Sequence, residues 1–437
     1  MNRIFNEKYE CMNKRDKFDL QSERLRDVVQ RVYCNVPWYR RKMEDVGIKP
    51  DDIKDINDIV KLPFTEKKDL RENYPFGSFA LPNKNIVRVH ASSGTSGKLT
   101  VVGYTKHDLA NWAECCARGL YGVGVDEESI IHIAYGYGLF TGGLGIHYGG
   151  EYLGAMVVPV SSGNTPRQIM LLEDFKADTI CCTPSYAIFL SEEAKKIGKD
   201  PRQFALKYGF FGAEPWTEEM RNKIEKAYLI KAYDIYGLSE ITGPGVATEC
   251  FYQCGSHVQD DMFYPEIINP ESGLQLSYGE EGELVFTTLL KEGMPLIRYR
   301  TRDVGSITDE ICKCGRTSVR LRKITGRYDD MIIVKGVNVF PSQIETALLN
   351  CDERVTSNFR VVLDRVNNLD IMDIEIELAT GVAFDEVREI EKLTAKVAST
   401  VASEIGVTCN IKLISSGKLL TKEGEKIKRV LDNRNNK

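Results

Sequence analysis

Ala91-Ser-Ser-Gly-Thr-Ser-Gly-Lys98 concentrates hydroxyl groups, glycines and a lysine in one short stretch. Glycine lets the backbone adopt positive φ and brings its N–H groups close to an anion. The serine and threonine hydroxyls add hydrogen-bond donors, and Lys98 adds a positive charge. The stretch therefore predicts a loop that binds a polyphosphate.

The spacing of this loop differs from the Walker A loop, in which four residues separate the glycines and a serine or threonine follows the lysine. Here Gly94 and Gly97 are closer together, and Leu99 follows the lysine. The flanks, 86–90 and 99–102, are apolar and rich in β-branched residues, which is typical of strands. We expect the loop to join two strands.

The composition is that of a globular protein with two or three domains. A chain of 437 residues exceeds one ordinary core, and 42% of its residues are hydrophobic and 28% charged. A net charge of −5 argues against a nucleic-acid partner, because such proteins present a basic face. The chain has no run of about 18 apolar residues and begins with a polar segment. We therefore expect a cytoplasmic protein that neither spans a membrane nor carries a secretory signal.

The order of apolar and amphipathic segments predicts an α/β architecture. Apolar spacing over 17–45 predicts one N-terminal amphipathic helix. Apolar runs at 156–160 and 179–183 are separated by helical patterns at 167–175 and 186–197, which is typical of a mostly parallel sheet. Short strands follow at 282–287 and 303–308, and a compact α+β unit begins near 331. Its predicted elements are a strand at 331–334, a helix at 341–350, strands at 357–363 and 371–378, a helix at 383–405 and a strand at 408–414.

Three further motifs carry groups that a nucleotide needs. Asp234-Ile-Tyr-Gly-Leu-Ser-Glu240 combines an aromatic ring for stacking with a carboxylate, the oxygen ligand that Mg²⁺ prefers. Arg300-Thr-Arg-Asp303 offers a carboxylate that could hold a ribose diol, and Gly326-Arg-Tyr-Asp-Asp-Met331 precedes the C-terminal unit. Each motif alone is weak evidence, but their order along the chain favours a nucleotide site.

With these motifs the chain resembles the adenylate-forming acyl-CoA synthetases and, within them, the phenylacetate–coenzyme A ligases. The resemblance runs from about residue 19 to 433 and includes two stretches typical of this branch, 135–143 and Lys335-Gly-Val-Asn-Val-Phe-Pro-Ser-Gln-Ile-Glu345. It implies a large N-terminal domain, 1–326, with parallel sheets and a β-rich section. It also implies a small mobile α+β domain, 327–437, with Asp329 at the hinge.

The resemblance implies a two-step reaction with ATP, Mg²⁺ and coenzyme A. Glu240 would ligate Mg²⁺, Asp303 and Arg327 would bind the ribose, and Tyr236 would stack on the adenine. The other nucleotide-binding positions are Ser92, Ser93, Gly94, Thr95, Ser96, Gly97, Lys98, Gly212, Ala213, Glu214, Asp234, Gly237 and Ser239. Lys335 and Gly336 would help to form the pantetheine tunnel.

The catalytic lysine of the family lies near the C-terminus after a glycine-rich turn. Here the stretch is Leu420-Thr-Lys-Glu-Gly-Glu-Lys-Ile-Lys-Arg429, and alignment of Gly424 to that turn selects Lys426. Lys422 and Lys428 remain alternatives, because Gly-Glu-Lys replaces the more typical Gly-Gly-Lys. A lysine here would stabilise negative charge on the carboxylate and the α-phosphate.

The acyl pocket implied by the resemblance is aromatic and carries no arginine. Its positions are Tyr135, Phe140, Gly142, Ala213, Ile235 and Pro244. Such walls suit an aryl ring rather than a second carboxylate, so we expect phenylacetate or a related arylacetic acid. Hydroxyphenylacetate and indoleacetate stay open, since one methylene or hydroxyl changes discrimination by only about 1–3 kcal/mol.

Two groups of soft ligands predict a structural Zn²⁺ site. Cys250, Cys254 and His257 form one group, and Cys312 and Cys314 form the other. We favour Cys250, His257, Cys312 and Cys314 as the four ligands, with Cys254 as the alternate. The remaining alternative is that these residues never meet.

Two other functions remain open from the sequence alone. One is an adenylating enzyme with a different acceptor, and the other is a nucleotide sensor without catalysis. The match at 335–340 to a pantetheine tunnel disfavours the first. A carboxylate at Glu240 and lysines near the C-terminus disfavour the second. From the family we also expect a homodimer.

Overall fold

The computed structural model describes residues 3–92, 99–328, 331–334, 337–366, 369–379, 381–382, 387–419 and 429–434. By its internal contacts the chain divides into two compact units. The first comprises Met1–Glu214 and Ile224–Ile324, and the second comprises Pro215–Lys223 and Thr325–Lys437. No helix among the described residues is long and apolar enough to cross a membrane.

The α-helices of the described residues are α1 Glu7–Glu10, α2 Lys14–Asn35, α3 Pro37–Asp45, α4 Lys67–Glu72, α5 Lys106–Val123, α6 Gly142–Leu153, α7 Thr165–Asp174, α8 Pro184–Lys196, α9 Glu218–Tyr228, α10 Pro341–Cys351 and α11 Val387–Ile405. The strands are β1 Arg88–Ser92, β2 Thr100–Tyr104, β3 Ile130–Ile133, β4 Met156–Val158, β5 Thr179–Cys182, β6 Tyr208–Gly212, β7 Lys231–Leu238, β8 Gly243–Glu249, β9 Ser256–Val258, β10 Phe263–Ile268, β11 Gly282–Thr288, β12 Tyr299–Gly305, β13 Ile307–Thr308, β14 Arg320–Leu321, β15 Gly326–Arg327, β16 Ile332–Val334, β17 Val337–Val339, β18 Val355–Val366, β19 Leu369–Leu378, β20 Asn410–Ile414 and β21 Val430–Asp432.

The predicted loop does join two strands. β1 pairs antiparallel with β2, and Ser92 lies opposite Thr100 at the end of the pair. The predicted phosphate-binding residues 93–98 lie outside the described residues, so the structure places only Ser92 of that group.

The large sheet of the first unit has the strand order β13-β14-β9-β8-β7-β6-β5-β3-β4. β4, β3, β5, β6 and β7 run parallel, as the alternation of apolar and helical segments predicts. β8 and β9 continue the sheet in antiparallel pairing. In open α/β sheets ligands bind beyond the carboxyl ends of the parallel strands. The segments after β3, β6 and β7 therefore lie at the edge of the sheet where a ligand would bind.

The β-rich section, in which the sequence predicts short strands at 282–287 and 303–308, contains β10, β11 and β12. β10 pairs antiparallel with β11, and β11 pairs antiparallel with β12. The stretch predicted as one strand at 303–308 is in fact the end of β12 and the separate strand β13, with Ser306 between them.

The prediction of one N-terminal helix over 17–45 is wrong. α2 ends at Asn35 and α3 begins at Pro37. The residue before a proline is biased to an extended backbone, and Val36 has φ −118° and ψ 99°. Proline has no N–H to donate inside a helix, but it is well suited to the first helical position. The apolar spacing continues across the break, which is why the pattern alone did not reveal it.

The second unit contains a sheet of order β20-β19-β18-β21. β18 and β19 pair antiparallel, while β20 and β21 add parallel strands at the two edges. Its own apolar core includes Phe359, Ile374 and Val397, all with no exposed surface. The α+β architecture predicted for this region is confirmed, although α11 begins at Val387 in the described residues.

Candidate active site

A tight turn at 239–242 connects β7 to β8 and carries Glu240. Backbone N–H groups of Ile241 and Thr242 both donate to the carbonyl of Leu238, at 3.1 Å. Glycine is required beside the turn, because a Cβ on Gly237 would lie 1.8 Å from the carbonyl oxygen of Gly243. The sequence Gly-Leu-Ser-Glu thus fixes the carboxylate at the carboxyl end of β7.

Glu240 is buried and holds its charge through two side chains. The Oε1 atom accepts a hydrogen bond from Ser92 Oγ at 3.0 Å and lies 3.0 Å from Lys67 Nζ. Burial alone would raise the pKa of Glu240, but the charge and hydrogen bond of Lys67, helped by Ser92, bring it below the usual value. The carboxylate is therefore ionised at neutral pH and able to bind a cation.

Three predicted motifs converge on this turn. Ser92 belongs to the loop motif and contacts Glu240 directly. Thr141, from the motif at 135–143, hydrogen-bonds Ser239 between their hydroxyls at 2.9 Å. The same motif reaches β1, since the N–H of Ala91 donates to the carbonyl of Leu139 at 3.0 Å. Segments distant in sequence thus meet where the sequence analysis places the phosphates.

Tyr236 and Asp303 form a second pair of predicted nucleotide residues. The hydroxyl of Tyr236 donates to Asp303 Oδ2 at 2.7 Å. The ring of Tyr236 lies 5.9 Å from that of Phe286, centre to centre. The hydrogen bond links the residue assigned to adenine with the residue assigned to ribose.

The stretch Gly212–Glu214 follows β6 beside these residues. A Cβ on Gly212 would lie 2.2 Å from the carbonyl oxygen of Ile235, so only glycine fits this pairing of β6 with β7. Ala213 has a positive φ of 67°, an uncommon conformation for a residue with a side chain. The Glu214 carboxylate accepts from the N–H of Ser185 at 2.8 Å, in the first turn of α8. Asp234 donates its backbone N–H to Glu249 Oε2 at 2.8 Å.

The predicted acyl-pocket residues differ in exposure. Tyr135 and Ile235 are buried, and the Tyr135 hydroxyl has no hydrogen-bond partner among the described residues. Phe140 is 43% exposed, and a Cβ on Gly142 would lie only 2.3 Å from an atom of its ring. Gly142 thus makes room for the ring of Phe140. Pro244 accepts a hydrogen bond at its carbonyl from Trp112 Nε1 at 2.9 Å.

Several predicted residues cannot be placed in this site. Ser93–Lys98, Asp329, Lys335, Gly336 and the three candidate lysines, 422, 426 and 428, lie outside the described residues. Arg327 is described and belongs to β15 of the second unit. Their roles stay predictions.

Lys67 is a residue of this candidate site that the sequence did not reveal. It lies at the start of α4, in the charged stretch Glu66-Lys-Lys-Asp69, and its side chain is 35% exposed. Such a stretch is typical of a solvated helix, so no local signal marks it. Only the fold brings it to a carboxylate more than 170 residues away in sequence.

A second cluster of chemically active side chains lies at the other end of β8. Cys250 directly follows the strand, His257 lies in β9, and Cys312 and Cys314 lie in the turn before β14. One donor atom from each of these four buried residues lies within 4.8 Å of the other three. The structure therefore brings together the four residues favoured from sequence.

The distances within the cluster suit a tetrahedral metal site. Cys250 Sγ lies 3.7 Å from Cys312 Sγ, and Cys314 Sγ lies 3.4 Å from His257 Nε2. Sulfur ligands bound to zinc at about 2.3 Å in a tetrahedron are about 3.8 Å apart. Cys254, the alternate, is also close, with its Sγ 3.5 Å from that of Cys312, but it is exposed.

The cluster holds one thiolate, Cys314, whereas the pKa values of Cys250 and Cys312 are raised, so those two thiols would have to give up their protons to a metal ion. Hydrogen bonding by Cys250 and His257 outweighs burial and lowers the pKa of Cys314 to about 2. Burial raises the pKa of Cys312 to about 11 and lowers the pKa of the His257 imidazole. His257 Nδ1 hydrogen-bonds Ser318 Oγ at 3.0 Å, which orients Nε2 toward the thiols. A thiolate and a neutral imidazole are the forms that bind zinc.

Comparison with known families gives two matches that together cover most of the chain. Residues 48–289 match the family described as AMP-binding enzyme, and residues 336–434 match the family described as AMP-binding enzyme C-terminal domain. The second match falls within the second compact unit.

Curated relatives are similar over nearly the full length. The phenylacetate–coenzyme A ligase of Thermus thermophilus is 47% identical, over 94% of this chain and 96% of its own length. That of Escherichia coli is 46% identical, over 95% of this chain and 94% of its own length. Among solved structures, 2-hydroxyisobutyryl-CoA ligase in the postadenylation state is similar with a TM-score of 0.91 and 29% identity, over 99% of this chain and 93% of that one.

Proposed function

This chain belongs to the phenylacetate–coenzyme A ligases, a branch of the AMP-binding enzymes, and we propose that phenylacetate or a related aryl acid is its own substrate. The reaction has two steps. The carboxylate of the acid attacks the α-phosphate of ATP, pyrophosphate leaves, and an acyl-adenylate forms. The thiol of coenzyme A then loses its proton and attacks the acyl carbon, and AMP leaves with the electrons of the broken bond.

The buried Glu240 carboxylate is the observation that carries the nucleotide role. It is an ionised oxygen donor beside the hydroxyl of Ser92 and the ammonium of Lys67. Mg²⁺ is usually held by one or two carboxylates together with substrate phosphates, so this donor set fits it. When bound, Mg²⁺ neutralises phosphate charge during phosphoryl chemistry. Glu240 would hold the ion, and Lys67 would be free to contact a phosphate oxygen.

Further residues are proposed to bind the phosphates, the adenine and the ribose of ATP. The stretch Ser92–Lys98 would bind the β- and γ-phosphates. The ring of Tyr236 would stack on the adenine, while its hydroxyl orients Asp303 toward the ribose hydroxyls. Gly212, Ala213 and Glu214 would line the adenine pocket, supported by the strained backbone at Ala213.

The catalytic lysine is proposed to be Lys426. Its ammonium would stabilise the negative charge that develops on the carboxylate and the α-phosphate. Lys426→Ala should abolish ATP–pyrophosphate exchange while a supplied acyl-adenylate is still converted to acyl-CoA. Lys422→Ala and Lys428→Ala are the matched controls and should keep exchange. Equal loss of both half-reactions in Lys426→Ala would contradict the assignment.

The acid is proposed to be an arylacetic acid, with phenylacetate first. Tyr135 and Ile235 offer buried walls, and no arginine stands among the predicted pocket positions to pair with a second carboxylate. A hydroxylated ring is the second candidate, because the Tyr135 hydroxyl has no hydrogen-bond partner among the described residues and could pair with a hydroxyl on the substrate.

Acyl-CoA formation across a panel of acids, read by mass, tests the proposed function. Phenylacetate, hydroxyphenylacetates, indoleacetate and aliphatic acids of similar size are each supplied with ATP, Mg²⁺ and coenzyme A. We expect an aryl-CoA and AMP with the arylacetic acids. Pyrophosphate release without acyl-CoA would instead indicate another acceptor, and turnover of the aliphatic acids alone would contradict the aryl substrate.

A structural zinc ion is proposed at Cys250, His257, Cys312 and Cys314. The support is the closed set of four soft donors and their mutual distances. Four protein ligands leave no open position for a substrate, so the role would be to join the end of β8 to the turn before β14. A homodimer is proposed from the family, and light scattering on the eluting protein tests it.

A further inference from the structure

Lys291 is a buried lysine directly behind the turn that carries Glu240. The residue is 6% exposed. Its Nζ donates to the carbonyl of Ile241 at 2.7 Å and lies 4.4 Å from the centre of the Tyr104 ring. Burial of an ammonium is costly unless nearby groups compensate its charge. The carbonyl of Ile241 and the ring of Tyr104 are the groups that contact this ammonium.

Tyr104 supports the same turn from β2. Its hydroxyl donates to the carbonyl of Thr242 at 3.0 Å and lies 3.4 Å from the carbonyl of Ser239. Together, Lys291 and Tyr104 satisfy carbonyl groups on both sides of Glu240. Buried carbonyl groups without partners would be unfavourable, so these two side chains fix the path of the turn.

The charged and titratable groups facing Lys291 come from four elements. They are His90 of β1, Tyr104 of β2, Asp108 of α5 and Glu240 of the turn. The Asp108 carboxylate already accepts three backbone N–H groups, those of Thr105, Glu292 and Gly293, at 2.7–2.9 Å. Burial lowers the pKa of Lys291 to about 8, against the opposing charges of Asp108 and Glu240. The lysine therefore carries its charge at neutral pH and loses it in mild alkali.

Lys291 differs from Lys67 in how it can respond to a ligand. Lys67 contacts Glu240 directly and is 35% exposed, so it can exchange Glu240 for another anion. Lys291 is held by a backbone carbonyl and a ring, and has no such freedom. Its charge stays behind Glu240 whichever partner the carboxylate has.

We propose that Lys291 is a positioning residue for adenylate formation, which fixes the Glu240 turn and keeps a positive charge behind that carboxylate. The inference rests on the proposed binding of Mg²⁺ by Glu240. It concerns how the turn is held, not which acid is activated, so it can be tested whatever the acid proves to be.

Three variants and a control test this role. Lys291→Met removes charge and donor, Lys291→Arg keeps both, and Tyr104→Phe removes the two hydroxyl contacts but keeps the ring. The control is Lys231→Met, which removes an exposed lysine that lies at the start of β7 and pairs with Glu225. The first readout is equilibrium binding of Mg²⁺ with a non-hydrolysable ATP analogue, by calorimetry. The second is ATP–pyrophosphate exchange as a function of Mg²⁺ and pH.

We expect Lys291→Met to weaken Mg²⁺-dependent binding by about 10- to 100-fold, as loss of supporting groups around a metal site usually does. Tyr104→Phe should show a smaller loss, and Lys231→Met none. The exchange rate of the wild type should fall as the pH rises through about 8, where Lys291 loses its proton. Lys291→Arg should keep its rate to higher pH, because arginine stays charged.

The pH dependence of folding stability tests the lowered pKa of Lys291 without any substrate. The pKa of Lys291 is lower in the folded protein than in the unfolded chain, so the unfolded chain binds more protons above pH 8. Stability of the wild type relative to Lys291→Met should therefore rise with pH between about 8 and 10. If Lys291→Met fails to fold, Lys291→Arg and Tyr104→Phe carry the test.

The outcomes separate this proposal from the proposed function. Unchanged Mg²⁺ dependence in folded Lys291→Met, together with an unchanged pH profile, would overturn the positioning role. Absence of exchange in the wild type with every acid would instead contradict the proposed function. Equal weakening of nucleotide binding with and without Mg²⁺ would also count against Lys291 acting through Glu240.

Discussion

Strand β8 joins two buried polar sites made of opposite kinds of donor. At its start, the 239–242 turn presents the carboxylate of Glu240 to a hydroxyl and an ammonium. At its end, Cys250 begins a cluster of thiols and one imidazole. Carboxylate oxygen suits hard cations such as Mg²⁺, whereas thiolate and imidazole suit Zn²⁺. One strand thus separates a site suited to a reacting phosphate from a site suited to a permanent ion.

The two sites also differ in how firmly their partners are held. The ammonium that contacts Glu240 belongs to a partly exposed side chain at the start of α4. In the cysteine cluster all four favoured ligands are buried, and Ser318 orients His257. A site that must exchange partners during a reaction needs the first arrangement, and a site that holds a loop needs the second. Variants at the two ends should therefore have different consequences.

Glu240→Gln should have the largest effect on turnover. The amide keeps the shape of the side chain and its hydrogen bonding but removes the charge that would hold Mg²⁺. We expect ATP–pyrophosphate exchange to fall by more than about 100-fold, since even indirect partners of a metal site cost about 10–100-fold. Folding should be retained, because burial of a neutral amide is less costly than burial of a charge.

Glu249→Gln is the matched control, at the other end of the same strand. Its carboxylate is buried as well and accepts the backbone N–H of Asp234, a role that an amide oxygen can keep. Exchange should stay within about tenfold of the wild type, since even complete loss of a typical hydrogen bond costs only about 0.5–1.5 kcal/mol. Similar losses in both variants would indicate that any buried charge on β8 matters, and the contrast between its ends would fail.

Lys67→Met should have a smaller effect than Glu240→Gln. Without the ammonium, burial would raise the pKa of Glu240, but a bound cation could itself compensate the carboxylate. We expect the KM for ATP to rise by about tenfold, which is ~1.4 kcal/mol. Steady-state kinetics at saturating and limiting Mg²⁺ measures it. Lys61→Met, which removes an exposed lysine paired with Asp58, is the control. An unchanged KM for ATP in Lys67→Met would show that Lys67 does not contact a phosphate.

Local chemistry explains what could be predicted from sequence at both ends of β8. The Glu240 turn is marked by glycines that no other residue can replace. Gly237 is one of them, because its Cα lies too close to the carbonyl oxygen of Gly243 to carry a side chain. Cysteine and histidine are the side chains that bind Zn²⁺ in structural sites, and here they are closely spaced in two short segments. The four ligands Cys250, His257, Cys312 and Cys314 could therefore be assigned to one site from the sequence. The strand pair around the loop was also predictable, because the segments that flank the loop are apolar and rich in β-branched residues.

Long-range pairing explains what could not be predicted. Lys67 lies in a stretch typical of charged surface, and Lys291 belongs to none of the motifs singled out from sequence, so only the fold brings them to the Glu240 turn. The break between α2 and α3 was missed for the opposite reason, since Pro37 acts locally while the apolar spacing continues. Residues that act through a distant partner carry no local pattern, whereas residues that fix the backbone or bind a metal do.

Cys314→Ser should have the smallest effect on turnover and a clear effect on stability. Serine cannot provide the thiolate that Cys314 forms, so the zinc proposed for this cluster should be absent from the variant in elemental analysis of protein purified without chelators. The melting temperature should fall by roughly 5–10 °C, the shift expected for a loss of a few kcal/mol. Exchange per folded molecule at 25 °C should stay within about twofold, because no substrate position is open in a four-ligand site.

Cys254→Ser decides between the two donor sets and completes the contrast. Its thiol is exposed, although it lies 3.5 Å from Cys312 Sγ, so its loss should leave one zinc per chain and the melting temperature of the wild type. If Cys254→Ser loses zinc and Cys314→Ser keeps it, Cys254 is a zinc ligand and Cys314 is not. A wild type without zinc would remove the metal from this end of β8. Loss of exchange in Cys314→Ser with normal stability would place the cysteine cluster in the reaction, and the division of labour along the strand would be wrong.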